Sequence, residues 1–171
     1  MPNNTVTFSP SIAYNTQPNG LIFLISGANL MNSKAVSHVS EITIPFYDVD
    51  GLQIAWHGHY VKYFEIARCE LLDKIGYDYS AMAESGYIWP VVDLHIKYIQ
   101  PARFGQLIEI QSLIIEYQNR LKISYVIYDK LTRQKLTKGH TTQLAIAQNT
   151  QELQFVSPAI LIHKIEAFSH D

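Results

Sequence analysis

The sequence predicts an α+β fold in which a curved antiparallel sheet of about five strands wraps around one long helix. Three features support this prediction. Residues 58–75 contain no proline, and their apolar side chains recur at helical spacing. One strand-like segment precedes this stretch and four longer segments follow it, joined by short connections that suit antiparallel pairing. Because the predicted helix is apolar on several sides, only a sheet that curls around it can bury it.

The first predicted elements lie before and within the helical stretch. Apolar and polar residues alternate over 41–46, which indicates a half-buried strand. The Asp- and Gly-containing turn at 48–51 ends that strand. The helix then closes at Gly76, where a C-terminal cap is expected, and a short helical turn follows at 80–84. The remaining predicted elements are strands at 88–100, 106–117, 121–128 and 135–147, and a helix that starts after Ser157-Pro158.

Length, charge and cysteine content narrow the class of protein. A chain of 171 residues suits one main domain, and its formal net charge is only -2. Because it has no run of Lys and Arg, we expect no dominant binding to nucleic acid. Cys69 is the single cysteine, so no intramolecular disulfide can form, and we expect a cytoplasmic location. We expect Cys69 to pack on the helix rather than to react.

Three regions are predicted along the chain. Residues 1–38 are expected to form an irregular N-terminal extension, 39–150 the main domain, and 151–171 a C-terminal tail with a short helix. The apolar run at 21–25 fits a short strand or a collapsed loop. It is too short to span a bilayer and follows no basic leader, so we expect no membrane attachment. A more ordinary leader follows Met31, which we expect to be an alternative start.

Three segments resemble a known family. They are Tyr47-Asp48-Val49-Asp50, then Ile54-Ala55-Trp56-His57-Gly58-His59-Tyr60, then Tyr63-Phe64-Glu65-Ile66-Ala67-Arg68, and the likeness continues through 92–103. This pattern resembles the 4-hydroxybenzoyl-CoA thioesterase family of hotdog-fold acyl-CoA thioesterases, over roughly residues 41–147. The resemblance implies a hotdog fold, a homodimer or a dimer of dimers (a homotetramer), active sites between subunits, and no metal or other cofactor.

The resemblance also implies the site residues. It matches the catalytic carboxylate to Asp50, places His57 in the site, and brings backbone N–H groups of 56–59 near the thioester carbonyl. Physical chemistry agrees, since a loop carboxylate can attack the carbonyl or take a proton from water. A helix start offers unpaired N–H groups to the developing oxyanion. The further predicted substrate contacts are Gln53, Trp56, Gly58, His59, Tyr60 and Arg103.

Several of these residues also have structural interpretations. Asp50-Gly51 is ordinary turn chemistry, so Asp50 could serve only to stabilise the loop, which is the role we expect for Asp48. His57 and His59, with the two acids nearby, could form a metal cluster. We expect no metal, because a His-x-His pair at a helix start directs its rings to different sides.

Charged residues outside the motif have assignments of their own. Glu65 and Arg68 are three residues apart on the helix and are expected to form an ion pair. Lys97, Arg103 and Lys138 suit phosphate recognition, in CoA or in a phosphopantetheine carrier. For any one of these three cations, ordinary solvated surface charge is the alternative.

The predicted function is hydrolysis of an acyl-CoA thioester. An acyl-carrier-protein thioesterase and a non-catalytic acyl-binding hotdog module are the alternatives, and a hotdog dehydratase fits the residues less well. Gln53 stands where many family members carry glycine, so its side chain could reshape or occupy the acyl entrance. This departure and the N-terminal extension motivate the non-catalytic alternative.

Overall fold

The computed structural model describes residues 35–170, so the predictions for 21–25 and for Met31 lie outside the described part of the chain. A 3-10 turn spans Phe46–Asp48. The helices are α1 (His59–Lys74), α2 (Tyr79–Glu84) and α3 (Ala159–His170). The strands are β1 (Ser37–Thr43), β2 (Tyr87–Ile88), β3 (Val91–Tyr98), β4 (Leu107–Glu116), β5 (Leu121–Asp129), β6 (Lys135–Gln143) and β7 (Ile146–Ala147).

Five of these strands form one antiparallel sheet in the order β1-β4-β5-β6-β3. Strands β2 and β7 pair separately as a two-stranded ribbon. The α+β class and the five antiparallel strands are therefore confirmed. The sheet leaves two edges, and one of them is β3, the strand that follows the segment between α2 and Pro90.

Two of the predicted long strands are each broken into two pieces. The predicted strand 88–100 divides at Trp89 and Pro90, because proline has no N–H group to continue a ladder. The predicted strand 135–147 ends in the sheet at Gln143, and its last residues pair with β2. The two breaks face each other, since the Gln143 side-chain amide donates to the Trp89 carbonyl and Leu144 N–H donates to the Pro90 carbonyl.

The main core lies between α1 and one face of the sheet. The helix buries Tyr60, Tyr63, Phe64, Ala67, Leu71 and Leu72. The inward side chains of β5 are Leu121, Ile123, Tyr125 and Ile127, and all are fully buried. Phe64 stacks on Tyr125 with ring centroids 4.4 Å apart. Each buried large apolar side chain contributes about 1.5–3 kcal/mol, so this interface holds the helix in place.

The C-terminal helix α3 is longer than the short helix that the sequence predicts. It begins directly after Ser157-Pro158, as expected for proline at a helix start, and it buries Leu161 and Ile165. Across residues 35–170, no helix combines the length and the hydropathy that a membrane crossing needs.

Edge strand β3 presents an apolar surface. Every residue of the strand except Ile96 is exposed. Val92 is 53% exposed, and Tyr98, which packs on Tyr60 on one side, is still 48% exposed. An uncovered strand edge with apolar side chains is a surface for pairing with another chain.

Gly139 on β6 is required by close packing, which generates a prediction. A Cβ atom there would lie 2.3 Å from the His95 carbonyl oxygen and 2.7 Å from the Phe64 ring. We therefore expect Gly139→Ala to lower the free energy of unfolding by about 1–3 kcal/mol through overpacking. Gly51→Ala is the matched control, because no atom lies within 4 Å of its added Cβ. Urea unfolding measures both variants, and equal midpoints would contradict the packing argument.

Candidate active site

The loop that joins β1 to α1 folds back on itself as a small hairpin. Trp56 N–H donates to the Asp48 carbonyl at 2.9 Å, and Asp50 N–H donates to the Ile54 carbonyl at 2.9 Å. The motif acids therefore sit on a defined backbone rather than on a free loop. The tip of this hairpin includes Gln53, whose N–H donates back to the Asp50 carbonyl at 2.9 Å.

Asp50 is half-buried on the first arm of this hairpin. Its Oδ1 accepts a hydrogen bond from Leu52 N–H at 2.8 Å, which is the turn contact expected from the Asp-Gly pair. Its second carboxylate oxygen has no hydrogen-bond partner among residues 35–170. The Asp50 carboxylate thus stabilises the turn with one oxygen, and its other oxygen can contact a ligand.

Gln53 has a left-handed backbone conformation, with φ at 61°. That region favours glycine, and a non-glycine residue there stores strain of about 1–2 kcal/mol. The Gln53 side chain is exposed at the loop tip. The departure from glycine noted in the sequence therefore falls at a position whose backbone suits glycine, and the side chain lies on the surface.

Two backbone N–H groups just before α1 are unpaired within residues 35–170. Gly58 is the N-cap, and His59 N–H already donates to the Trp56 carbonyl at 2.9 Å. For the N–H groups of His57 and Gly58, no acceptor lies within the described residues. Of the predicted donor stretch 56–59, these two N–H groups are the ones left for a ligand, at the positive end of the helix dipole.

Trp56 covers the helix start. A Cβ atom on Gly58 would lie 2.1 Å from the Trp56 ring, so glycine lets the indole fold over the N-cap. The ring is 47% exposed and lies near both histidine rings, with centroids 4.9 Å from His57 and 5.4 Å from His59. The indole therefore forms a partly exposed apolar wall beside the unpaired N–H groups.

Tyr98, at the end of β3, also contacts the helix start. Its hydroxyl donates to the His57 carbonyl at 2.9 Å, and its ring meets the His57 ring edge-on with centroids 6.5 Å apart. His57 itself is exposed. Tyr98 was not among the predicted site residues, although the period-2 pattern of its strand directs it to the same face as Ile96.

The other predicted substrate contacts lie deeper or farther away. Tyr60 is buried, and its hydroxyl accepts the Ala102 N–H at 3.0 Å. Arg103, the next residue, is exposed and forms an isolated backbone bridge with Ile54 of the hairpin. Substrate contacts by Tyr60, His59 and Arg103 remain predictions.

Asp48 is the buried member of the Asp-x-Asp pair, only 1% exposed. Lys62 Nζ lies 2.5 Å from both carboxylate oxygens, the Tyr63 hydroxyl donates at 2.8 Å, and His59 Nε2 lies 3.8 Å away. Burial alone raises the pKa of Asp48, but the hydrogen bonds from Lys62 and Tyr63 and the charges of Lys62 and His59 outweigh it and hold that pKa below its ordinary value. Burial and the bond to Asp48 raise the pKa of Tyr63.

The motif histidines and acids do not form a metal cluster in this arrangement. Within residues 35–170, no group of three or more His, Cys, Asp or Glu side chains is close enough to hold a metal ion. His59 is directed at Asp48, whereas the His57 ring lies against Trp56 and Tyr98. The two rings therefore face different surroundings.

A second polar cluster lies farther along α1. Glu65 pairs with buried Arg68, as the three-residue spacing predicts, and the Tyr79 hydroxyl bonds to both. Burial and the Glu65 contact raise the pKa of Tyr79 to about 12. Burial, followed by the Glu65 charge, also raises the pKa of the half-buried Cys69 thiol, which keeps it protonated and agrees with a packing role.

Comparison with known proteins places this arrangement in a family. The model of the thioesterase-like superfamily matches residues 32–163, most of the chain. The chain belongs to the thioesterase-like superfamily. YneP of Bacillus subtilis (strain 168), named as a candidate acyl-CoA thioesterase, is 32% identical over 95 residues, which are 54% of this chain and 69% of YneP.

Solved structures agree with this assignment. DHNA-CoA thioesterase from Staphylococcus aureus is 25% identical with a TM-score of 0.64, covering 68% of this chain and 78% of that one. The fold is also that of Slr0204, a 1,4-dihydroxy-2-naphthoyl-CoA thioesterase from Synechocystis, at 17% identity, a TM-score of 0.66, and coverage of 75% and 95%. The predicted hotdog class and the predicted enzyme class, a thioester hydrolase, are confirmed.

The Asp48 cluster generates a pH prediction. Because the pKa of Asp48 is lowered in the folded state, its stabilisation is complete above the unfolded pKa of about 3.9 and is lost as pH falls through the folded pKa. We expect Asp48→Asn to cost about 1–3 kcal/mol at neutral pH, since Lys62 is half exposed and partly screened. The difference from wild type should shrink in acid, where both side chains are neutral.

Urea unfolding at a series of pH values measures this difference. Asp73→Asn is the matched control, because Asp73 is exposed on the same helix and its side chain has no bonding partner in residues 35–170. A cost for Asp48→Asn that stays constant from neutral pH down to the acid limit would contradict the ion-pair account.

Proposed function

We propose that the chain hydrolyses an acyl-CoA thioester to the free acid and CoA, with Asp50 as the reacting carboxylate. One observation supports this most: among residues 35–170, an Asp50 oxygen and the N–H groups of His57 and Gly58 have no partner, and all three belong to one hairpin and the helix start that follows it. A thioester needs both a group that attacks or activates water and donors for the oxygen that becomes negative.

The reaction assigns each group one task. The thioester oxygen accepts hydrogen bonds from the N–H groups of His57 and Gly58, which stabilise the negative charge that develops on it. Asp50 either attacks the carbonyl carbon or takes a proton from the attacking water. The C–S bond then breaks, the sulfur leaves as thiolate and is protonated, and water supplies the oxygen of the acid. The exposed His57 ring is suited to orient that water.

Several finer assignments stay proposals. Membership of the 4-hydroxybenzoyl-CoA thioesterase group rests on the motif 47–68 and the strand segment 92–103. Acyl-carrier-protein thioesters share the same reacting group, so a substrate panel decides between the two carriers. Wrapping of the sheet around α1 as a single central helix rests on the broad face that this helix buries, where buried side chains recur every three or four residues. A cytoplasmic location fits the single, protonated Cys69.

Assembly into a homodimer or a dimer of dimers is also proposed. The exposed edge of β3 supports it, because an apolar edge strand needs a cover in water. A twofold axis would bring the same strand of two subunits together. Since Tyr98 ends this strand and contacts His57, pairing along β3 would bring the second subunit close to the site.

The proposed role of Asp50 predicts a large loss of turnover without loss of the fold. Asp50→Asn keeps an oxygen that accepts from Leu52 N–H but removes the basic carboxylate. We expect kcat/KM to fall by about 100-fold or more, as for loss of a general base, with an unchanged urea midpoint. Thiol release from an acyl-CoA panel measures it, with Asp73→Asn as control. Near-native turnover by Asp50→Asn would refute the mechanism.

The proposed assembly is tested by sedimentation velocity at micromolar concentration. We expect a dimer or a larger species for the wild type. Val92→Lys places a charge on the exposed edge strand and should shift the protein toward monomer. Thr132→Lys in the exposed β5–β6 turn is the matched control. A wild type that sediments only as monomer would exclude this assembly.

A further inference from the structure

We infer that the groove beside Arg103 and Phe104 binds the adenine nucleotide of CoA, and this inference rests on the proposed function. The groove is open and has a volume of about 420 Å³, within the range of ligand sites. One wall is the segment from Gln100 to Gln106, and the other contains Gln134 and Leu136. The pantetheine arm of CoA is long, so the phosphates must bind away from the reacting carboxylate.

The groove connects directly to the proposed reaction loop. Arg103 forms a backbone bridge with Ile54, and the Ile54 carbonyl accepts the Asp50 N–H. The backbone of Arg103 and the backbone of Asp50 are therefore joined through Ile54, which pairs with both. A substrate with its thioester at Asp50 can extend its arm past this pairing and reach the Arg103 guanidinium.

Arg103 supplies the charge that phosphates need. Its side chain is exposed, and in residues 35–170 no carboxylate is paired with it. Other arginines of the described chain are already bound to acids: Arg68 to Glu65, Arg120 to Glu116, and Arg133 to Glu109. An unpaired guanidinium in a groove is suited to bidentate contact with a phosphate.

Two exposed phenylalanines supply a surface for the base. Phe104 is 54% exposed and lines the groove, and Phe46 is 69% exposed and meets it edge-on with centroids 6.0 Å apart. Exposed phenylalanine rings beside the unpaired Arg103 guanidinium suit a ligand that has a planar base and phosphate groups. Stacking on an aromatic ring holds a base without reading its edges.

Hydrogen bonds hold the backbone of the turn that carries Arg103 and Phe104. Arg103 N–H donates to the Gln106 side chain at 2.8 Å, and Gly105 N–H donates to the Ile44 carbonyl at 2.9 Å. Gly105 has φ at 73°, which closes the turn that presents Phe104. The pairing with Ile44 also brings Phe46, two residues later, beside the Phe104 ring. The backbone of this groove wall is therefore tied to the segment before the Asp50 hairpin.

Lys97 and Lys138 are a rival phosphate site. They lie opposite each other on β3 and β6, and neither is paired with an acid in the described chain. Strand alternation directs them to the sheet face away from α1, opposite to Tyr98 and the helix start. The Arg103 groove is joined to Asp50 through the backbone pairings of Ile54 and also contains the aromatic surface, so it is the better nucleotide site.

The test compares two substrates that differ only in the nucleotide: an acyl-CoA turned over by the wild type and the acyl-pantetheine thioester of the same acid. Arg103→Gln and Phe104→Leu should each lower kcat/KM for the acyl-CoA roughly tenfold, mainly through KM, and leave acyl-pantetheine within about twofold. Arg133→Gln and Phe155→Leu are matched controls, a paired arginine and an exposed phenylalanine outside the groove lining.

Calorimetry with desulfo-CoA separates this inference from the proposed function, because it needs no turnover. The wild type should bind it, and the two groove variants should weaken binding roughly tenfold. Equal losses on both substrates, unchanged binding in the variants, or a nucleotide effect only in Lys97→Gln and Lys138→Gln would each overturn the inference. So would a change of oligomeric state without a change in affinity, which would identify the groove as a subunit contact.

Discussion

The buried carboxylate of Asp48 ties the loop before α1 to the helix itself, and the geometry of the site depends on this contact. Lys62 and Tyr63 reach it from the first turns of the helix, while the Asp48 carbonyl accepts Trp56 N–H from the far arm of the hairpin. One residue therefore fixes both arms of the loop and the helix. A buried acid without partners would cost several kcal/mol, so the contact specifies a single arrangement.

The two motif acids lie in contrasting surroundings. Within residues 35–170, every oxygen of Asp48 has a hydrogen-bond partner and the side chain is buried, whereas Asp50, two residues later, has one carboxylate oxygen without a partner. The same contrast holds for the backbone, where Trp56 and His59 use their N–H groups internally and His57 and Gly58 do not. Hydrogen-bonded backbone thus surrounds three polar groups without partners: one Asp50 oxygen and the N–H groups of His57 and Gly58. Preorganised catalysis requires such an arrangement.

Features that depend on residues close together in the chain could be predicted from the sequence. Periodicity predicted α1 and the order of the strands along the chain, and the three-residue spacing predicted the pair of Glu65 and Arg68. It could not predict that Trp89-Pro90 and Leu144 leave the sheet together, because that depends on contacts between distant strands. For the same reason it missed Lys62 as the partner of Asp48. Tyr98 was missed because its contact joins an edge strand to the helix start.

Gln53 combines a strained backbone conformation with an exposed side chain in the hairpin that carries Asp50. Its left-handed backbone lets the hairpin turn tightly enough for Asp50 N–H and Ile54 to pair, and that pairing leads to Arg103. The exposed Gln53 side chain has no hydrogen bond to any other residue in the described range 35–170. A strained residue such as Gln53 persists only because the other contacts of its loop stabilise that conformation. The Asp48 carboxylate is one of these contacts: it is buried and binds Lys62 and Tyr63 of α1, so it joins the loop that carries Asp50 to the helix.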